Sequence, residues 1–184
     1  MTATMPETQL STTFLRSLRA VRRFSPQPIP DEVLQDILDA ARWTGSSKNT
    51  QPWHLVVVRE HSTLEALATC GPFAGHLAGA QVAIALVMDD ANRRFDEGRL
   101  AQNLMLAAWA HGVGSCIGSL YPEANTRRAK QLLAIPNAKW LHTAISLGYP
   151  ADPQALRLSA NRGTLTEVPL GRHPLSDLVS WDRF

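Results

Sequence analysis

The sequence has few of the residues that cross-link a chain, ligate metal or enter a membrane. Its 184 residues include only two cysteines, Cys70 and Cys116, too few for a disulfide framework or a cysteine-rich zinc site. The six histidines show no spacing typical of metal ligands, so we predict no metal. No apolar run reaches the roughly 18 residues that a membrane helix needs. We therefore expect a soluble, cytoplasmic protein that does not contact a membrane.

Net charge and glycine-rich phosphate motifs are also lacking. A formal net charge of +2, with arginine pairs scattered along the chain, argues against a nucleic-acid partner. Neither GxGxxG nor GxxxxGK[ST] occurs, which excludes a Rossmann fingerprint and a P-loop. The hydrophobic share of 45% is that of a folded protein, and a chain this short forms one domain.

Helix and strand patterns alternate along the chain and predict an α+β fold with a central sheet. Helical periodicity covers residues 31–43, 61–69, 97–111 and 123–133. Strand patterns cover residues 53–59, 81–88 and 140–147. Residues 112–118 indicate a turn and then a further strand, which reaches Leu120. The strands are short and their connections irregular, which favours α+β over a regular doubly wound fold.

Two segments do not suit a small, self-contained domain. The helix predicted at 97–111 has almost no polar face, which is typical of a large core or a subunit interface, and we favour the interface. The segment from Ala151 to Phe184 is rich in proline, glycine and arginine and has little periodicity. Such a segment is either disordered or packed on another surface, and we favour the surface of a partner subunit.

Arginines near the start of the chain form a candidate anion site. Arg19, Arg22 and Arg23 are close enough in sequence for two of them to reach one phosphate, and the planar guanidinium group binds phosphate through paired hydrogen bonds. Alone, the same arginines are more typical of an exposed helix end than of an anion site.

A polar loop between the first predicted helix and strand forms a second candidate. Ser46, Asn49 and Gln51 offer hydroxyl and amide groups that can satisfy the edge of a planar heterocycle. Loops held between rigid elements commonly carry binding sites. Alone, this loop is more typical of ordinary turn chemistry than of a binding site.

Together these segments resemble the nitroreductase family in order and spacing. Arg-Ala-Val-Arg-Arg-Phe at 19–24 precedes Pro-Ile-Pro-Asp-Glu-Val-Leu at 28–34 and Ser-x-x-Asn-x-Gln-Pro-Trp at 46–53. Residues 99–108, 112–118 and 147–150 resemble the family's central helix, the strand after it and the last strand. The resemblance covers about residues 14–150.

The resemblance implies an α+β, nitroreductase-like fold, with a central mixed or antiparallel sheet flanked by helices. It implies one FMN-binding domain over 1–184, with a core of about 14–150 and a C-terminal arm, 151–184, exchanged in an intertwined homodimer. FMN would lie at the subunit interface. It would carry reducing equivalents from NADH or NADPH to an electron-poor acceptor, such as a nitroaromatic or quinone, in a ping-pong cycle. No side chain is needed as acid or base, so no catalytic residue is assigned.

By position, the resemblance also assigns cofactor contacts. Arg19, Ala20 and Arg22 would hold the phosphate and ribityl chain. Ser46, Asn49 and Gln51 would contact the ring and the ribityl chain. Ile117, Gly118 and Ser119 would run beside the reactive edge of the flavin. Arg172 would return to the phosphate from the C-terminal segment.

Two positions depart from the family pattern. Leu18 stands where an arginine is usual, and Ala20 where a serine is usual, so Arg16, Arg23 or Arg172 would have to supply the missing phosphate contact. A different function also remains open, a non-catalytic dimer that binds FMN for sensing or storage. That alternative predicts a bound flavin that nicotinamides reduce slowly or not at all.

Overall fold

A computed structural model describes residues 12–152 and 172–184, which belong to two compact units, Met1–Asp152 and Pro153–Phe184. The second unit, where it is described, has a 3₁₀ turn at Leu175–Asp177 and exposed side chains. Most of the predicted C-terminal arm, residues 153–171, lies outside the described residues. Within the described ranges, no helix combines the length and apolar character needed to cross a bilayer.

The first unit is built on a four-stranded sheet in the order β1-β2-β4-β3. The strands are β1 (Trp53–Val58), β2 (Val82–Met88), β3 (Gly114–Ser119) and β4 (Trp140–Gly148). All three pairings are antiparallel, which confirms the predicted sheet and settles it as antiparallel rather than mixed. Every residue of β2 is buried, as its continuous apolar run predicts for an inner strand covered on both faces.

Residues 12–152 form five α-helices. They are α1 (Thr12–Ser17), α2 (Asp31–Arg42), α3 (His61–Ala68), α4 (Arg94–Ala110) and α5 (Glu123–Leu132). Four of the five match the predicted helices to within a few residues. α4 begins three residues before its predicted start, because it continues directly from a 3₁₀ turn over Ala91–Arg93. The Asp90 side chain caps that turn by accepting the Asn92 N–H at 2.7 Å.

The helices form two layers, one on each face of the sheet. On one face, α2 and α4 bury Ile37, Leu100 and Leu104 in the same cluster as Ile84 and Ile145 of the sheet. On the other face, α3 and α5 contribute leucines and an alanine to a second cluster. α4 therefore packs into the core of its own chain along one side, which accounts for part of its apolar composition. Its place at a subunit interface stays a prediction.

Candidate functional site

The arginine-bearing segment lies alongside the first residues of β3. Ala20 forms a parallel bridge with Ser115, and the Val21 N–H donates to the Ser115 carbonyl at 2.8 Å. Gly114 allows this approach, since a Cβ there would lie 2.7 Å from the Val21 side chain. The buried Val21 thus anchors the segment, and Arg22, the next residue, is exposed beside β3.

The two arginines assigned to the phosphate have different surroundings. Arg19 turns one guanidinium nitrogen back on its own segment, where it donates to the carbonyls of Arg16 at 2.7 Å and Leu18 at 2.9 Å. Arg22 lies near the buried thiol of Cys116. Burial raises the pKa of this thiol, and the Arg22 charge partly offsets that rise. Arg19 thereby shapes the backbone turn, and Arg22 places its charge beside Cys116 of β3.

β3 is the outer strand of the sheet at this end, and its peptide groups alternate in direction. The Leu120 N–H donates to the His142 carbonyl at 2.7 Å and continues the ladder between β3 and β4. Because alternate antiparallel pairs exchange both hydrogen bonds, Cys116 and Gly118 turn their N–H and C=O groups toward β4. The N–H and C=O of Ile117 point the other way, to the free edge.

The side chain of His76 lies within hydrogen-bonding distance of one of these edge groups, the Ile117 carbonyl. The sequence patterns do not indicate this contact. His76 lies in a 3₁₀ turn, Gly75–Leu77, before β2. Its Nε2 lies 3.3 Å from the Ile117 carbonyl oxygen, and its Nδ1 lies 2.8 Å from Ser146 Oγ. Burial lowers the pKa of His76; the bond to Ile117 opposes this, and the Arg22 charge lowers the pKa further. These contacts span 41 and 70 residues of sequence, beyond the reach of local patterns.

The polar loop at 44–51 is held by α4. Arg99 donates to the Gly45 carbonyl at 2.7 Å, and Asn103 Nδ2 donates to Thr44 Oγ1 at 2.9 Å. Within the loop, Ser46 Oγ accepts the backbone N–H of Gln51 at 2.8 Å. Ser46 therefore makes a structural hydrogen bond within the loop, and its contact with a cofactor stays a prediction.

Three loop residues other than glycine have left-handed backbone conformations. Lys48 and Asn49 have φ of 53°, and Gln51 has φ of 46°. Such conformations are uncommon for residues with a Cβ and concentrate at functional sites. Asn49 and Gln51 are exposed there, as a binding role for their side chains requires.

The loop and the arginine segment are tied to different parts of α4. Asn103 holds the loop, whereas Trp109 Nε1 donates to Ser17 Oγ at 2.8 Å and so holds the end of α1. Six residues of helix separate these anchors by about 9 Å, and Arg99, the other anchor of the loop, lies about 15 Å from Trp109 along the axis. Arg22, His76 and the Ile117 edge of β3 thus lie together within one chain. The polar loop of the same chain is anchored at Arg99 and Asn103 of α4 instead. Arg172 lies exposed in the second unit, which is described separately.

A cleft of about 280 Å³ lies beside Ile117, between α4 and the strands β3 and β4. Its lining includes Glu97, whose side chain is buried and whose Oε1 has no hydrogen-bond partner among the described residues. A buried carboxylate oxygen without a donor is costly, so this cleft favours a ligand or solvent that carries a donor group. Sequence periodicity placed Glu97 at the start of a helix and gave no sign of this burial.

Comparison with known proteins identifies the family of this chain. The model of the Nitroreductase family matches residues 15–70 and 73–149. A protein of Archaeoglobus fulgidus, provisionally named NADH dehydrogenase/NAD(P)H nitroreductase, is 33% identical over 142 residues, which cover 73% of this chain and 82% of the relative.

Solved structures share the fold. An FMN-dependent nitroreductase of Clostridium difficile R20291 superposes with a TM-score of 0.78 at 22% identity, over 95% of this chain and 100% of the other. A Desulfovibrio desulfuricans protein determined in complex with FMN gives a TM-score of 0.74 at 25% identity, over 94% and 96%. The family predicted from the sequence motifs is confirmed, and the chain belongs to the nitroreductase family.

Proposed function

We propose that the chain is an FMN-dependent oxidoreductase of the cytoplasm. It would transfer reducing equivalents from NADH or NADPH to an electron-poor acceptor, such as a nitroaromatic or quinone, in a ping-pong cycle. The observation that carries this proposal is the convergence of Arg22, His76 and the Ile117 edge of β3 in a family member whose relatives include FMN-dependent enzymes.

The donors around this edge fit FMN chemically. A phosphate monoester needs cations, which the exposed Arg22 and the adjacent Arg19 supply. The pyrimidine edge of a flavin needs hydrogen-bond donors, and the Ile117 peptide at the outer side of β3 presents its N–H there. Ser119, two residues further on, faces the same edge, and Gly118 lies between the two with its peptide groups turned to β4.

When bound, FMN would accept a hydride from the nicotinamide and pass electrons to the acceptor. The contribution of the protein is orientation and electrostatics. Arg22 would fix the phosphate end, and donors such as the β3 amide and Lys48 would favour the negative charge of the reduced form. The exposed side chain of Ile117 would line the place where donor and acceptor alternate.

We further propose that each site is shared between two subunits of a homodimer. Asn49 and Gln51 are exposed on a loop whose anchors on α4 lie six to ten residues before Trp109, which holds the end of α1 just before the arginine segment. A second copy of the chain would bring its own loop to the flavin held by Arg22. The C-terminal segment, with Arg172, would wrap the partner and supply the phosphate contact that Leu18 cannot.

The first experiment is the visible spectrum of the protein purified without added cofactor, followed by anaerobic addition of NADH or NADPH. We expect a flavin spectrum that bleaches within the mixing time and recovers with a quinone or nitroaromatic. A flavin that resists both nicotinamides would favour the sensing or storage dimer instead. A protein that is colourless and takes up no added FMN would overturn the assignment.

A further inference from the structure

We propose that His76 is a positioning residue that engages the Ile117 carbonyl, so that the β3 edge offers the cofactor a donor rather than an exposed acceptor. This inference rests on the proposed function, because it concerns the residues that would face the flavin. Neither the family motifs nor the sequence patterns include His76.

Buried neighbours hold the turn that carries His76 in place. Ala74 and Leu77, which flank His76 in sequence, are completely buried in the hydrophobic cluster that α3 and α5 form with the sheet. The imidazole lies against the strand at Gly118, where an added Cβ would be 3.5 Å from His76 Cε1. The ring therefore has little freedom to leave the Ile117 carbonyl, 3.3 Å from Nε2.

The Ile117 carbonyl determines which ring nitrogen carries the proton, because a carbonyl oxygen can only accept and so requires a hydrogen on Nε2. Nδ1 is then the acceptor, and the buried Ser146 hydroxyl lies 2.8 Å from it; the alternative acceptor for that hydroxyl, the Cys116 carbonyl oxygen, lies farther away at 3.3 Å. When the serine donates to Nδ1, the neutral ring carries its hydrogen on Nε2 and donates to Ile117. This assignment follows from the hydrogen-bond network.

The charges around His76 favour that neutral ring. The nearby Arg22 is a cation, and both burial and this charge lower the pKa of His76. Cys116, the other titratable group at this point of β3, is buried, and its pKa is raised, so it adds no negative charge. The neutral ring with its hydrogen on Nε2 satisfies both neighbours without introducing a second cation.

The consequence is electrostatic. A carbonyl oxygen at the free edge would repel the negative charge that a flavin gains on reduction, and the Nε2–H of His76 engages that oxygen. The same hydrogen bond fixes the peptide plane at residue 117, and with it the direction of the neighbouring edge N–H. Removal of His76 should therefore make the bound flavin harder to reduce while the phosphate contacts still hold it.

The test compares His76→Leu, His76→Gln and wild type as FMN-loaded proteins, with the flavin midpoint potential as the readout. We expect His76→Leu to shift the equilibrium toward oxidised flavin about ten-fold, which is about 30 mV for a two-electron couple. His76→Gln keeps an amide donor and should restore part of the shift. His61→Leu is the matched control, because His61 is exposed on α3 and should leave the potential unchanged.

Each outcome decides between the two proposals. An unchanged potential in a folded, FMN-loaded His76→Leu protein would overturn the role of His76 and leave the flavin function intact. A wild-type protein that binds no FMN would overturn both.

If His76→Leu fails to fold, a second experiment decides: nitrogen NMR of the His76 ring in the cofactor-free wild type and in Ser146→Ala. We expect the Nε2-protonated tautomer in both proteins, because the Ile117 carbonyl can only accept, and the opposite tautomer in wild type would refute the proposal.

Discussion

At the scale of single residues, Gly71 is a position where no side chain fits. An added Cβ would lie 2.0 Å from the Ser119 carbonyl oxygen, a backbone atom that can move only with β3 itself. We expect Gly71→Ala to reduce the free energy of unfolding by about 2–3 kcal/mol, as overpacking does. Because Ser119 belongs to the proposed flavin edge, FMN affinity should fall as well. Urea denaturation and flavin titration measure the two effects.

Gly75 supplies the matched control for Gly71. It is exposed, has no atom within 4 Å of an added Cβ, and lies four residues away in the same connection. Gly75→Ala should change the unfolding free energy by no more than about 0.5 kcal/mol. Equal losses in the two variants would show that backbone flexibility, rather than the contact with Ser119, sets the requirement for glycine.

Lys48 shows how the loop combines strain with function. Its φ of 53° suits glycine better than lysine, so Lys48→Gly should raise the unfolding free energy by about 0.5 kcal/mol, after the larger entropy of an unfolded glycine is counted. The same change removes a proposed cation beside the reduced flavin, and the midpoint potential should fall. Ser47→Gly, next to it and outside the left-handed region, should only destabilise. A stability loss in Lys48→Gly as large as in Ser47→Gly would contradict the strain argument.

At the scale of elements, α4 organises the site because it holds the loop and α1 at separate points. Asn103 donates to Thr44 Oγ1, and Thr44 is buried, so Asn103→Ala leaves that oxygen without its donor. We expect a loss of about 1–2 kcal/mol in unfolding free energy and faster hydrogen exchange over residues 44–51. Gln102→Ala, an exposed change on the same helix, should do neither. Unchanged exchange in Asn103→Ala would mean that Arg99 alone holds the loop.

The elements themselves were largely predictable, for physical reasons that are local. The apolar residues of α2 recur at helical spacing because one side of the helix is buried, and β2 is continuously apolar because both of its faces are buried. Both patterns can be recognised from residues that are close together in sequence. The start of α4 was placed too late because the cap is supplied by Asp90 through a 3₁₀ turn, and the helical periodicity begins only after it. α1 was not predicted, because its six residues include none that is buried.

Only those parts of the candidate site that lie in family motifs could be predicted from the sequence. The arginine segment and the loop were found by resemblance, and the structure gives their anchors, such as the contact of Val21 with Ser115. His76 and Glu97 were missed because their surroundings are made by residues distant in sequence. A side chain whose partner lies 70 residues away leaves no periodic trace, so only the folded chain identifies it.

At the scale of the whole molecule, the exposed aromatic side chains bear on the proposed dimer. Trp43 and Phe95 are each about three-quarters exposed, near the two ends of the Arg99 link to the loop. Trp181, in the second unit, is 86% exposed. Large aromatic side chains left in solvent within one chain favour a further surface that covers them. A second copy of the chain would cover them in the dimer that we propose.

Sharing of each site between subunits can be tested by complementation. One protomer carries Arg19→Ala with Arg22→Ala, and the other carries Asn49→Ala with Gln51→Ala. Each homodimer lacks half of every site and should purify folded but without FMN. In the mixed dimer, one site combines both defects and the other combines two intact halves, because a two-fold axis exchanges the subunits. Two affinity tags isolate that mixed dimer after co-expression.

We expect the mixed dimer to bind about one FMN, against about two for wild type and none for either parent. A dimer of each double variant with its own tags, carried through the same purification, controls for scavenged flavin. If the arginines and the loop of the same chain formed one site, both sites of the mixed dimer would be defective and it would stay colourless. The flavin content of the mixed dimer thus decides whether the arginines of one subunit and the loop of its partner form each FMN site.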